Sequence, residues 1–293
     1  MAYRIVYPAS LNFDFDRSAL RVCFPADTKY NPDLWAVKYL FDQNIRNKTV
    51  KVCVDGKISS TLALRMLFLR HIFPHVIFHD TENDRFVATA KDIIKNIGMQ
   101  YVTYDSSDYS LDRRGTKNKL ESLIEKELTE NISAHINDFP KSAKVIRQFP
   151  ANIFKDRISK NSRVTDKLWI DMVSLNYDGE LSPIELKVGG NIPLDLFAQG
   201  LDYGIYCHLF KKHIKGNWFK ECVTSVKDKI TIYYIGEEFH PALVGRGKEK
   251  GIISLIRKNE FFNIVFVKIC VDKKKRRITG KSEVIFDTRK QCK

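Results

Sequence analysis

The chain has 293 residues, of which 44% are hydrophobic, enough for one large domain or two modest ones. Its formal net charge is +14, and the excess is uneven: residues 1–115 carry 16 Lys and Arg against 13 Asp and Glu, while residues 116–293 carry 33 against 22. The sequence has no secretory leader and no apolar run long enough to cross a bilayer, and its six cysteines form no Cys-x-x-Cys pair. We therefore expect a cytoplasmic protein with no membrane partner, no structural zinc site and no disulfide scaffold.

The first 115 residues alternate between apolar strands and helices. Strands that alternate with helices are typical of a parallel, Rossmann-like sheet. We therefore predict a Rossmann-like α/β domain over residues 1–115. Its predicted strands are Tyr3–Val6, Leu20–Phe24, Val50–Val54, His75–His79 and Gln100–Tyr104, and its predicted helices are Trp35–Asn44, Ser60–Arg70 and Glu82–Ile97. The polar segment Asp105–Lys119 is predicted to be a linker.

A tight turn at Gly56 lies between the Val50–Val54 strand and the next helix, which Ser59 and Ser60 open. Domains of the α/β class often hold a phosphate at such a place, and Lys57 would add positive charge. The pattern is neither Gly-x-Gly-x-x-Gly nor a P-loop, and an ordinary helix N-cap explains the same residues. We expect this domain to sense a ligand or to dock a partner protein, and a homodimer formed through it stays open.

Residues 116–293 predict a second domain in which strands and helices are mixed. The predicted elements in chain order are a helix over about 117–135, strands near 144–158, around Asp171 and around Glu185, a helix at Gln199–Phe210, a strand at Ile230–Phe239, a helix at Gly251–Asn259 and a closing hairpin at Phe262–Phe286.

The most informative motif of the second domain is a pair of acids and a lysine in a predicted β-hairpin. An Asp178–Gly179 turn separates the apolar strand that contains Asp171 from the strand Ile184–Val188. Because side chains alternate along a strand, Glu185 and Lys187 point to one face, where Asp171 can meet them across the hairpin. Two carboxylates brought together in a protein interior are costly unless a cation neutralises them, and Mg²⁺ prefers such oxygen ligands.

This motif resembles that of the PD-(D/E)XK nuclease superfamily, with Asp171 followed after a hairpin by Glu185-Leu186-Lys187. The Gly189-Gly190 pair and a downstream Gln-x-x-x-Tyr are similar to the RecB-like branch. The first motif departs from the superfamily pattern because Ile170 replaces its proline. The resemblance covers roughly the last three-fifths of the chain, and it implies a restriction-endonuclease-like core with a mixed sheet flanked by helices over residues 116–293.

The resemblance also implies roles for individual residues. Asp171, Glu185 and the main-chain carbonyl of Leu186 would hold Mg²⁺ or Mn²⁺, and Lys187 would stabilise the transition state. A glutamate on the opening helix would support the metal; Glu121 is the best match, with Glu125 as an alternative one turn further on. The Gln-x-x-x-Tyr pair, which is Gln199 and Tyr203 in this chain, would position substrate or water.

The expected function is therefore metal-dependent hydrolysis of nucleic-acid phosphodiester bonds, with DNA favoured over RNA and internal cuts favoured over cuts at ends. The basic excess of residues 116–293 agrees with a polyanionic partner. Basic residues that could supply contacts lie at Lys141–Lys167, Arg246–Lys250 and Lys273–Arg277, although a solubilising hairpin tip explains the last run equally well. Two alternatives stay open: a non-catalytic nucleic-acid-binding module on the same fold, and a nucleotide-binding enzyme in the first domain.

Overall fold

The structure is a computed structural model that describes residues 7–16, 19–24, 31–45, 49–56, 58–80, 85–108, 119–189, 194–246 and 249–291. It is a mixed α/β protein with parallel and antiparallel sheets. The predicted strand Tyr3–Val6, most of the predicted linker, the boundary between residues 115 and 116, Lys57 and Gly190 lie outside the described residues. None of the helices in the described ranges combines the length and the apolar character that crossing a bilayer requires.

The α-helices, in chain order, are α1 (Pro32–Asp42), α2 (Ser60–Ile72), α3 (Arg85–Lys95), α4 (Lys119–His135), α5 (Asp195–Trp218) and α6 (Pro241–Val244). The strands are β1 (Asn12–Asp16), β2 (Ala19–Cys23), β3 (Val50–Asp55), β4 (Val76–Asp80), β5 (Tyr101–Val102), β6 (Ser142–Pro150), β7 (Phe154–Lys155), β8 (Trp169–Asn176), β9 (Leu181–Lys187), β10 (Ile230–Gly236), β11 (Gly245–Arg246), β12 (Glu249–Lys250), β13 (Phe262–Asp272) and β14 (Arg277–Asp287).

These elements form two compact units. Unit 1 consists of Met1–Lys95, Ile192–Ala198 and Phe239–Arg257, and unit 2 consists of Asn96–Asn191, Gln199–Glu238 and Lys258–Lys293.

Unit 1 is built on a sheet with the order β1-β2-β3-β4. Strands β2, β3 and β4 are parallel, whereas β1 pairs antiparallel with β2. Helix α2 begins at an ordinary N-cap, because the Ser59 hydroxyl accepts a hydrogen bond from the Leu62 N–H at 3.2 Å. The cap interpretation of this turn therefore accounts for Ser59.

Two of the predicted elements differ from those in the structure. The strand predicted at Gln100–Tyr104 is only the two-residue β5, which pairs antiparallel with β7 and does not extend the parallel sheet. The helix predicted at Gly251–Asn259 is a 3₁₀ turn over Ile252–Leu255. A longer helix does not form because the backbone N–H groups do not follow the helical pattern. The Ile256 N–H donates to the carbonyl of Ile253, and the next N–H, that of Arg257, donates to the carbonyl of Ile72.

Unit 2 is built on a six-stranded sheet with the order β14-β13-β10-β9-β8-β6. Strands β9, β10 and β13 are parallel, and the pairs at both edges are antiparallel. Helix α4 covers one face through an apolar cluster that includes Ile124, Leu128, Leu186 and Tyr233.

Helix α5 packs on the opposite face, where Gly200 lies against Tyr234. A Cβ added at Gly200 would stand 2.2 Å from the Tyr234 ring, so only glycine allows this approach. The functional residues predicted for the second domain all belong to this three-layered unit.

Candidate active site

The hairpin of β8 and β9 brings the predicted acids to one end of the sheet. Its turn is fixed by the Asn176 side chain, which accepts N–H bonds from Asp178 at 3.0 Å and Glu180 at 2.8 Å. Gly179 has a φ of +79°, which favours glycine, and a Cβ there would lie 2.5 Å from the Ser225 carbonyl oxygen. The turn therefore sets a register in which the Met172–Ile184 pair ends the ladder.

Beyond the Met172–Ile184 pair, the Asp171 side chain, instead of the backbone of β8, binds the backbone of β9. Its Oδ2 accepts the backbone N–H of Leu186 at 2.9 Å, and the residue is buried. In a strand, the N–H and C=O of one residue face the same neighbour, so the Leu186 carbonyl faces the same side of β9 as Asp171. Asp171 therefore lies beside the Leu186 carbonyl, the backbone group that the resemblance implies as a second metal ligand.

Lys187 links the carboxylates of the site. Its Nζ lies 3.0 Å from Oε1 of Glu185 and 3.7 Å from Oε1 of Glu121. Glu185 is only 1% exposed, while the Lys187 side chain is 23% exposed and so retains an opening to solvent. The alternation of β9 thus places Glu185 and Lys187 on one face, as the spacing predicts.

The electrostatic environment keeps Lys187 protonated. Burial alone would lower the pKa of Lys187, but the carboxylates of Glu185, Asp171 and Glu121 together raise it above its usual range. An ammonium group paired with Glu185 and Glu121 can donate hydrogen bonds and stabilise negative charge.

Helix α4 carries two glutamates one turn apart, and they have different partners. Oε2 of Glu121 accepts the Val188 N–H at 3.3 Å, so Glu121 joins the end of β9. Glu125 is fully buried and binds β6, where its carboxylate accepts from Arg147 Nε at 3.1 Å and from the Gln148 amide at 2.9 Å. Of the two candidates, Glu121 is the one that reaches Lys187.

This difference predicts unequal losses of stability when each glutamate is changed to glutamine. Glu125→Gln would remove the negative charge that the partly buried guanidinium of Arg147 contacts and should lower the free energy of unfolding by about 2–4 kcal/mol. Glu121→Gln keeps an acceptor for the Val188 N–H and should cost less than about 1 kcal/mol. Chemical denaturation of both variants checks this, and equal losses would contradict the division of roles between the two glutamates.

Tyr203 lies beside the acids, and Gln199 lies at the surface. The Tyr203 hydroxyl donates to the Trp169 carbonyl at 2.7 Å, two residues before Asp171. Burial, followed by the carboxylates of Glu185, Asp171 and Asp202, raises the pKa of Tyr203 well above its usual range, so the phenol is neutral. Gln199 is exposed, so its amide is free to meet a ligand from solvent.

The donor set suits a hard divalent cation. Three buried carboxylates, those of Glu121, Asp171 and Glu185, lie around the Lys187 ammonium, and burying like charges together favours the binding of a cation. Across the described ranges, no group of three or more His, Cys, Asp and Glu side chains converges closely enough to hold a metal ion on its own. Mg²⁺ needs only one or two protein carboxylates together with water and phosphate oxygens, so Asp171 and Glu185 fit its requirements.

Several neighbours of the site carry no signal in the sequence. Gln148 has a φ of +49° and lies opposite Asp171 in the register of β6 and β8. The Glu237 carboxylate accepts the Gly189 N–H at 2.8 Å, just beyond Lys187. Arg147, a predicted phosphate contact, is instead engaged by Glu125.

Compared with known proteins, the chain matches no protein-family model, no curated protein and no solved structure.

Proposed function

We propose that the protein is a metal-dependent nuclease that hydrolyses nucleic-acid phosphodiester bonds, acting within chains and on DNA in preference to RNA. One observation carries the proposal: Lys187 is bound by Glu185 and Glu121 beside Asp171, at the open end of a hairpin. The order of α4, β8, β9 and α5 supports a restriction-endonuclease-like core for unit 2. The parallel part of the β1–β4 sheet supports a Rossmann-like domain for unit 1.

Asp171, Glu185 and the Leu186 carbonyl would hold Mg²⁺ or Mn²⁺, with Glu121 at its side. When bound, the cation would polarise a phosphoryl oxygen and lower the pKa of a water molecule. Within the chain, the N–H of Leu186 fixes the Asp171 carboxylate and the N–H of Val188 fixes that of Glu121. Both acids are therefore oriented by the backbone of β9 before any ligand arrives.

Lys187 acts as a fixed positive charge in this proposal. The carboxylates of Glu185, Asp171 and Glu121 raise the pKa of Lys187, which favours its charged form. Its ammonium would stabilise the negative charge that builds on the phosphorus oxygens as water attacks. Tyr203, held neutral, supports the backbone of β8 at Trp169, and exposed Gln199 would contact the substrate.

The direct test is to incubate the protein with plasmid DNA, single-stranded DNA and RNA in the presence of EDTA, Mg²⁺ or Mn²⁺. We expect cleavage that needs a divalent cation, with plasmid converted to nicked or linear forms because cuts are internal. Gel electrophoresis measures both the dependence of cleavage on the cation and the conversion of the plasmid. The absence of cleavage with either cation on all three substrates would contradict the proposal.

A non-catalytic nucleic-acid-binding module is the alternative, and the exposed cations at residues 273–277 favour it. It predicts DNA binding that is unaffected by divalent cations and no loss of substrate. The same incubations, combined with a gel-shift measurement, separate the two functions.

A further inference from the structure

The hairpin of β13 and β14 ends in a dense group of positive charges. We define the basic arm as residues Lys268–Lys281, with its tip at Lys273–Arg277. All five tip residues are Lys or Arg, all are exposed, and none forms an ion pair with a residue that the structure describes. Such a density of unpaired cations is a typical feature of surfaces that bind a phosphate backbone.

The tip is a defined turn rather than a loose loop. Oδ1 of Asp272 accepts the N–H groups of both Lys274 and Lys275 at 2.9 Å, and Arg276 has a φ of +52°. Arg277 then pairs with Asp272 to resume the antiparallel ladder. The cations are therefore presented from a fixed backbone, which lowers the entropy cost of ordering them on a ligand.

The base of the basic arm is packed against the core that supports the candidate active site. Ile278 is buried in the apolar cluster that contains Leu186 and Val188, and Val271 packs against the same cluster. Two register shifts in the β13–β14 pairing, after Phe266 and after Lys268, mark bulges that bend a hairpin.

The direction of the basic arm follows from its contacts with α4. The Ser282 hydroxyl accepts the N–H of Asn137, just beyond the C-terminal end of α4, at 2.7 Å. Closer to the tip, the Ile278 N–H donates to Glu127 at 3.0 Å. Progress along β14 toward the tip is therefore progress along α4 toward Glu121.

The register of the sheet places the tip beyond the end of the active-site strand. Lys187 aligns with Gly236 and Gly236 with Lys268, so the basic arm begins level with Lys187. From Lys268 to Asp272, β13 then advances by about 13 Å, at about 3.3 Å per residue, before the turn begins. The tip therefore projects past the open end of the hairpin that carries Lys187.

We propose that the basic arm binds the phosphate backbone of the nucleic-acid substrate a few nucleotides from the bond at Lys187. Two strand spacings put β13 about 10 Å to the side of β9, and with the advance of about 13 Å along β13 the tip lies about 16 Å from Lys187, which corresponds to about five base pairs of duplex. The inference rests on the proposed function for its choice of ligand. It assigns the tip a role in holding the substrate, where a solubilising turn would have none.

The test neutralises three tip residues together, Lys273→Gln, Lys274→Gln and Lys275→Gln, which leaves the backbone contacts of Asp272 intact. The matched control changes three exposed lysines outside the basic arm, Lys212→Gln, Lys220→Gln and Lys227→Gln. Affinity for a DNA duplex of about 30 base pairs is measured by fluorescence anisotropy in EDTA over a series of salt concentrations. A third variant with arginine at 273, 274 and 275 retains the charge.

We expect the tip variant to bind roughly tenfold or more weakly than the control, with a salt slope lower by about 2 to 3, because each lost phosphate contact removes about 0.9. The arginine variant should bind like the wild type. Equal affinity of the tip variant and the control would overturn the inference. Because binding is measured in EDTA, weak binding by the tip variant would support the basic arm even if the wild type failed to cleave DNA, and that failure would count only against the nuclease.

Discussion

Asp171→Asn should lower the rate of phosphodiester cleavage by roughly 1000-fold or more, because it removes one negative charge from the site that would bind the metal. The substitution is almost isosteric. The amide oxygen of asparagine can still accept the Leu186 N–H that now binds Asp171 at 2.9 Å. The backbone of β9 is therefore expected to stay in place while the charge is lost.

The measurement is the initial rate of plasmid cleavage at saturating Mg²⁺, together with thermal unfolding and DNA affinity in EDTA. We expect the unfolding temperature and the affinity to change little, since asparagine keeps an acceptor for the Leu186 N–H and the basic arm is unchanged. Asp228→Asn is the control: it is the same chemical change at an exposed residue paired with Lys211, and it should leave cleavage unaltered. Wild-type rates in Asp171→Asn would remove the metal site from the mechanism.

The sequence predicts the local geometry of the candidate site well because that geometry depends on strand alternation and on one turn. Alternation alone puts Glu185 and Lys187 on the same face, and Gly179 with Asn176 sets the register of β8 and β9. Both are short-range properties. The pairing of Lys187 with a glutamate of α4 is long-range, and only the resemblance to a known family suggested Glu121.

Other features depend on tertiary contacts that no local pattern encodes. The ion pair between Glu125 and Arg147 depends on how α4 crosses the sheet. This pair occupies the side chain of Arg147, which the sequence pattern assigns to the basic surface. The segment after Gly251 has apolar residues at helical spacing, yet its backbone N–H groups bond elsewhere and only a 3₁₀ turn forms. The Tyr101–Val102 strand is likewise decided by its partner β7 rather than by its own residues.

Lys187→Met should remove cleavage and destabilise the protein at the same time. The ammonium lies 3.0 Å from the buried carboxylate of Glu185, and its removal takes away the positive charge that Glu185, Asp171 and Glu121 share. Removing one partner of a buried ion pair typically costs 3–5 kcal/mol, and because the lysine side chain is 23% exposed we expect about 2–4 kcal/mol. Lys211→Met, which breaks an exposed pair with Asp228, should change stability little.

The pH dependence distinguishes this electrostatic cause from lost packing. A group whose pKa is raised on folding contributes stability that is fully present below its unfolded pKa and is lost only as the pH rises through the folded pKa. In the wild type, the contribution of Lys187 to stability is therefore constant from pH 6 to about pH 9. In Lys187→Met the repulsion among the carboxylates that lose the ammonium should weaken as the pH falls, so the stability gap to the wild type should narrow from pH 8 to pH 5. Mg²⁺ or Mn²⁺ should also stabilise the variant more than the wild type, because the cation replaces the missing charge. Urea denaturation at both pH values, with and without the metal, measures these differences, and a gap that is independent of pH and metal would mean that Lys187 contributes only packing.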